Sequence, residues 1–320
     1  MIIAQKSLVL TQQNNFLSVA TPGFFCRLWW RPHILNIIKM KHLKRIQSII
    51  ILSIAVIFSA CSSDDDFNVQ SDNLDDFKLA QTVNENGHII ELYTENGNFL
   101  TGYNAIYLQI KSAGNLVSDA QPRWEPVMNM MDMLHSCPYS SLTPKENSTG
   151  IYKGYILFQM ANHGMEHWEI NIEYIVDGTI YSANTPIEVE ESSHRNIESF
   201  QGNDGKNYVL ALVEPTDPFV GVNKMKAAVY HMENMMNFVP VDNYKVLIDP
   251  RMPGMGNHGS PNNTDLLPIA NGFYEGNLSL SMTGYWKVNL QLSDVSTNIV
   301  KGEEVTADNE SSSIFFELEF

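Results

Sequence analysis

Methionine, histidine and cysteine are gathered into short stretches of this 320-residue chain. Met128, Met130, Met131, Met133, His135 and Cys137 fall within ten residues, and Met252, Met255 and His258 within seven. Thioether and thiolate sulfur are soft donors that favour Cu(I), and imidazole serves both Cu(I) and Cu(II). Outside the cytoplasm free thiols tend to oxidise, so methionine with histidine is a fitting ligand set there. The pattern nominates Met128, Met131, His135 and Cys137 as one copper site and Met252, Met255 and His258 as another. His163, Met165 and His167 are weaker candidates: the histidines have the i,i+4 spacing of a helical metal pair, but Gly164 argues for a loop. A third cluster, Tyr230-His231-Met232 with Met235-Met236, stands apart from both.

A packing role competes with this chemistry. Methionine is an adaptable core filler, and Met282 shares parity with Leu278 and Leu280 as Met160 does with Ile156 and Phe158, so both are expected in cores. In an extended segment Met128 and Met130 face one way and Met131 and Met133 the other, so they serve one ion only if a turn intervenes. Met131 with Met255, and His135 with His258, recur at equivalent places and are the better candidates. Cys137 lies beside His135, but the sequence offers no carboxylate or amide to complete a nucleophile's relay. A buried inert thiol or a soft ligand is expected. A phosphate-binding glycine loop, a Cys-x-x-Cys pair, a serine nucleophile elbow and a basic aromatic surface are all missing from the sequence, and its carboxylates are too scattered to nominate an acid/base couple. A non-enzymatic protein is expected.

The elements that would position these side chains are strands. Trp168, Ile170, Ile172 and Tyr174 alternate with polar residues, as do Trp286, Val288, Leu290 and Leu292, and Phe316, Leu318 and Phe320. Strict alternation means strands with one buried face. Asn96-Gly97, Asp177-Gly178, Asp217-Pro218 and Asn271-Gly272 punctuate them as turns. The fold class is all-β, built as two tandem Ig-like antiparallel β-sandwiches.

The tandem reading rests on an internal repeat. Phe99 to Asn104 answers Phe219 to Asn223 with a one-residue gap. Pro126-Val-Met128 answers Pro250-Arg-Met252, His135-Ser-Cys137-Pro138 answers His258-Gly-Ser260-Pro261, and Gly150-Ile-Tyr152-Lys-Gly154 answers Gly272-Phe-Tyr274-Glu-Gly276. Trp168 answers Trp286, and Ile187–Glu190 answers Phe316–Glu319. The sandwiches are placed at residues 84–190 and 208–320, with a polar joint at 191–207.

Charge separates a leader from the rest. The chain carries 20 Lys/Arg and 36 Asp/Glu, a net −16. Residues 1–60 hold seven of the basic residues and none of the acidic ones, so the remaining 13 basic and 36 acidic residues give −23 from Cys61 onward. That acidity repels nucleic acid and anionic lipid head groups. Lys41, Lys44 and Arg45 precede an apolar stretch, Ile49 to Phe58, of signal-peptide length. Phe58-Ser59-Ala60-Cys61 resembles a bacterial lipobox, which implies that Cys61 receives a diacylglycerol thioether and becomes the mature N-terminus. Met40 is the expected start, Met1–Lys39 an over-extension and 40–60 the signal peptide. Residues 61–83 read as the lipidated cysteine and a flexible acidic linker. Its Asp64-Asp65-Asp66 run looks like the export tag of surface-exposed lipoproteins. An outer-membrane lipoprotein exposed at the cell surface follows, and with Cys61 acylated no disulfide is expected.

The second copy resembles the YtkA-like/FixH-like family of small extracytoplasmic β-sandwiches. The residues that carry the resemblance are Pro250-Arg-Met252-Pro-Gly-Met255-Gly-Asn-His258-Gly-Ser-Pro261, Gly272-Phe-Tyr274 and Met282-Thr-Gly284-Tyr-Trp286. Asn257 interrupts the family's Gly-His pair. The first copy departs further: it lacks the Pro-Gly between its methionines and has four extra residues before Trp168. The resemblance implies copper handling. The expected protein is a membrane-anchored envelope lipoprotein that captures or delivers copper. The alternative is a structural lipoprotein that contacts another envelope protein and holds no metal.

Overall fold

The computed structural model describes residues 74–131 and 133–320. The segments expected to be an over-extended start and a signal peptide, Cys61, and most of the stretch expected to be an acidic linker lie outside the described residues. Among those described, the regular structure is strands and one short 3-10 turn, Pro253–Met255. The all-β reading holds.

In the first half the strands are β1 (Lys78–Glu85), β2 (His88–Thr94), β3 (Phe99–Leu100), β4 (Gly102–Ser112), β5 (Asn115–Leu116), β6 (Arg123–Met130), β7 (Met133–His135), β8 (Thr143–Pro144), β9 (Ile151–Phe158), β10 (His167–Val176), β11 (Thr179–Ile187) and β12 (Val189–Glu190). The second half contributes β13 (Ile197–Gln201), β14 (Asn207–Glu214), β15 (Gly221–Asn234), β16 (Asn237–Pro240), β17 (Lys245–Met252), β18 (His258–Gly259), β19 (Leu267–Ala270), β20 (Phe273–Leu280), β21 (Tyr285–Ser293), β22 (Ile299–Lys301) and β23 (Phe315–Glu319).

The strand order repeats. One sheet runs β1-β2-β4-β9-β8 in the first half and β13-β14-β15-β20-β19 in the second. The facing sheet holds β10-β6-β7 in the first and β21-β17-β18 in the second. On the far edge β11 pairs β10, whereas β23 pairs β21. Register repeats as well: Gly102 opposes Phe158 as Gly221 opposes Leu280, and Trp168 opposes Ile187 as Trp286 opposes Leu318. Side-chain hydrogen bonds refine one correspondence. Asn104 Nδ2 donates to the Leu100 carbonyl at 2.7 Å, and Asn223 Nδ2 donates to that of Phe219 at 2.8 Å. Leu100, not Phe99, is therefore the counterpart of Phe219, and the gap in the repeat disappears.

The Gly-x-Tyr motif has a physical cause in both halves. Gly150 and Gly272 take φ of +79° and +77°, and a Cβ on either would fall 2.7 Å from a backbone oxygen, of Val117 and Val229 respectively. Only glycine fits such a place without strain. Two residues on, the Tyr152 hydroxyl accepts the Ala120 N–H at 2.9 Å, and the Tyr274 hydroxyl donates to the Val241 carbonyl at 2.7 Å. Each tyrosine latches the loop that leads into β6 or β17.

Each half has its own core, centred on Trp168 and Trp286, both fully buried. A third cluster joins Leu157, Tyr103 and Tyr155 of the first half to Val209, Ala211, Val213, Ala228, Tyr230 and Phe273 of the second. The Tyr155 and Tyr230 hydroxyls meet at 2.5 Å. The two sandwiches therefore pack sheet against sheet.

Two boundaries differ from the sequence reading. β1 begins at Lys78, inside the stretch that reads as linker. It is an edge strand with Val83 as its buried side chain, which is why its composition looks like a tether. Within the polar joint, Ile197–Gln201 form β13, paired to β14. Just before it, the Arg195 carbonyl accepts the Glu317 N–H at 2.8 Å and Asn196 Nδ2 donates to the Thr101 carbonyl at 3.1 Å. Polar residues serve here because the segment's bonds go to backbone groups of both halves.

Candidate functional site

The β6–β7 hairpin carries the first Met/His stretch. Met128 opposes His135 and Met130 opposes Met133. Directly opposed residues of an antiparallel pair project to the same face, and so do residues two apart on one strand. Met128, Met130, Met133 and His135 thus share one face. The turn that the sequence left open falls between Met130 and Met133, and reversing the chain there returns Met133 to the side of Met130. Met131 sits in that turn at φ 37°, with 77% of its surface exposed.

The face is graded in depth. Met128 is fully buried in the first core, Met130 is partly buried against it, and Met133 is 50% exposed. His135 is half-buried, its ring edge-on to Trp168 at 5.5 Å. Its Nδ1 lies 2.7 Å from the Ser136 carbonyl oxygen. Donation from Nδ1–H to that carbonyl places the remaining lone pair on Nε2, the arrangement of a metal-ready imidazole. Cys137, two residues on, is buried in the core. Burial pushes its thiol well above the ordinary range, which leaves it protonated and inert.

The second half repeats part of this. Met252 opposes His258 across β17 and β18 as Met128 opposes His135. Met252 is buried in the second core, while Met255 and His258 are exposed. The connection is a 3-10 turn closed by Gly256 at φ 64° and Asn257 at φ 59°. Asparagine tolerates that left-handed conformation better than most residues, and Asn257 Nδ2 donates to the Glu310 carbonyl at 3.0 Å. The departure from Gly-His is thus a turn residue with its own anchor. A second opposed sulfur pair, like Met130 with Met133, is not formed here.

The stretch from His163 to His167 is a loop. His163 and Glu166 exchange backbone hydrogen bonds at 3.0 Å around Gly164 at φ +63°. His163 and Met165 are exposed. His167 opposes Asn129, one step from the Trp168–Met128 pair, so it projects to the other face of the sheet from Met128 and His135. Its Nδ1 lies 3.0 Å from the Met165 carbonyl oxygen and its Nε2 3.1 Å from Glu169 Oε1, so each ring nitrogen has an acceptor. These two acceptors, the carbonyl first and the carboxylate second, hold its pKa above 6.5. Coordination through His167 would have to displace one of them.

The structure therefore brings together Met128 and His135, and Met252 and His258, among the sequence candidates. It places Met131 and Met255 in turns, Cys137 in the core, and His163, Met165 and His167 off the shared face. Met130 and Met133 complete that face. Their signal in the sequence was the parity conflict among the four methionines, which a tight turn resolves. The face offers thioethers and one imidazole, with no carboxylate in the set, which is a donor set for a soft cation.

Fold and site define a protein of two antiparallel β-sandwiches with a Met/His hairpin on the first. Residues 203–291, within the second sandwich, match the model of the YtkA-like family. No curated protein matches the chain. Among solved structures it is similar to FdeC, a broadly conserved Escherichia coli adhesin, at 16% identity and a TM-score of 0.22, over 66% of this chain and 62% of that one. A DUF4785 family protein of Legionella pneumophila aligns at 12% identity and a TM-score of 0.24, over 67% of this chain and 55% of that one. The chain thus spans less than two thirds of either structure.

Proposed function

We propose that this is a non-enzymatic binding protein of the cell envelope that takes up Cu(I) on the β6–β7 face. One observation carries the reading: Met130, Met133 and His135 share a face, and Nδ1 of His135 lies 2.7 Å from the Ser136 carbonyl oxygen, a contact that in the neutral ring leaves the lone pair on Nε2. Met128 forms the buried floor. The match of residues 203–291 to the YtkA-like family supports the envelope assignment, and the matching strand order supports reading the first half as a second copy of that domain. The lipobox-like sequence ending at Cys61 supports an acyl anchor in the outer membrane, with the −23 charge beyond it keeping the protein off anionic head groups.

Competition for Cu(I) against bathocuproine disulfonate, under reducing anaerobic conditions with the full chain in detergent, tests the site. One Cu(I) per chain is expected at the hairpin, with affinity falling at least tenfold in a Met130→Ala/Met133→Ala/His135→Ala variant of unchanged melting temperature. Equal competition by variant and wild type would overturn the copper reading. The protein-interaction role would then remain, with exposed Met131, Met133 and Leu134 as its contact surface.

A further inference from the structure

Besides the far edge and the connection after β6 or β17, the two sandwiches differ in the hairpin that follows β4 or β15. In the first, β4 and β5 pair only through Lys111–Leu116 and Ser112–Asn115. In the second, β15 runs on to Asn234 and pairs with β16 at Tyr230–Pro240, His231–Val239, Met232–Phe238 and Asn234–Asn237. This longer arm bears the Met/His cluster that stands apart in the sequence, and its tip is Met235-Met236, 45% and 37% exposed.

The arm is fastened to the first sandwich at both ends. At its base, Tyr230 meets Tyr155 and Phe238 packs into the inter-sandwich cluster. At its tip, the Ser136 N–H donates to the Met235 carbonyl at 2.8 Å. Asn234 Oδ1 accepts the Met236 N–H at 2.9 Å and holds the turn. Ser136 is fully buried, follows His135 directly, and supplies the carbonyl that orients the imidazole. β7 is the edge strand of its sheet, and the arm's tip is hydrogen-bonded to the residue that directly follows it.

We propose that the Met235-Met236 tip supplies a further thioether to the site on the β6–β7 face, making the Cu(I) site a composite of both sandwiches. This rests on the Cu(I) reading above. The hairpin alone presents its donors at a sheet edge open to water. A methionine from the arm would add a neutral soft ligand and exclude solvent from that side. The side chain is unbranched and flexible, and its backbone is already one hydrogen bond from the residue beside His135.

Ag(I), a redox-inert soft monovalent cation, is the probe. The full chain, labelled with methyl-13C methionine and held in detergent micelles, is titrated by NMR, with assignments from single Met→Leu variants. The methyl signals of Met130, Met133 and either Met235 or Met236 are expected to shift together and saturate at the same ratio. A Met235→Leu/Met236→Leu variant, altered only at solvent-facing positions, should bind Ag(I) at least tenfold more weakly while Met130 and Met133 still respond. Shifts confined to Met130 and Met133, with unchanged affinity in the double variant, would overturn the arm's role and leave the hairpin site standing. Absence of any stoichiometric shift at Met130 and Met133 would overturn both.

Discussion

His135 and His167 stand on the two faces of one sheet, and their ring nitrogens decide what each can do. His135 gives Nδ1 to a carbonyl, and among the described residues nothing accepts from Nε2. His167 gives both nitrogens away, to the Met165 carbonyl and to Glu169. Both bonds are made fully only by the imidazolium, so the folded pKa lies above 6.5. The sign follows from linkage: a base whose folded pKa is raised adds stability that is full below its unfolded pKa and fades as pH rises through the folded value. The side chain is 42% exposed, so solvent screening keeps that contribution small. Titration of the His167 ring by NMR should give a midpoint above 6.5, and Glu169→Gln should move it back down. A wild-type midpoint at or below 6.5 would show that the two acceptors do not act on it. The i,i+4 spacing of His163 and His167 had suggested a ligand pair, and Gly164 correctly argued against the helix that pair requires.

At the scale of the element, alternation in the sequence was enough to place most inward faces, because a strand's side chains have no other period. Trp168 to Tyr174 and Trp286 to Leu292 are buried on the alternating positions as read. What alternation cannot supply is a reversal of direction. Met131 and Met133 appear to share a face only while the segment is taken as one strand, and the turn at Met131 separates them. The Gly-x-Tyr motif was legible as a repeat, but its cause was not: the crowding at Gly150 and Gly272 comes from carbonyls more than thirty residues away in sequence. Gly272→Ala should therefore destabilise the protein by about 1–3 kcal/mol through positive φ and the clash with the Val229 carbonyl. Gly254→Ala makes the control, since a Cβ there meets nothing within 4 Å. Urea melts of the two variants compare them, and equal midpoints would refute the account.

For the whole molecule, the repeat in the sequence says that there are two sandwiches but not that they pack on one another. The one signal for that was Tyr208 to Val213, an apolar run without alternation, as expected of a strand buried on both faces. Tyr208, Leu210 and Leu212 enter the second core, whereas Val209, Ala211 and Val213 enter the cluster between the sandwiches. Burying a Leu or Val side chain contributes about 1.5–3 kcal/mol. Leu157, Val209 and Val213 together then approach the lower end of the net stability of a domain, about 5–15 kcal/mol. Coupling of that size makes unfolding of one half costly to the other. Calorimetry of the wild type should show a single cooperative transition over both sandwiches, and Leu157→Asp/Ala211→Asp, which puts charge on both sides of the shared face, should split it in two. Two resolved transitions in the wild type would mean that the shared face does not couple them. The same face holds the base of the methionine arm, so the split variant should also lose the arm's grip on Ser136 while both cores remain folded. Hydrogen exchange at the Ser136 amide reads this directly: slow in the wild type, fast in the split variant, with the Trp168 and Trp286 amides protected in both.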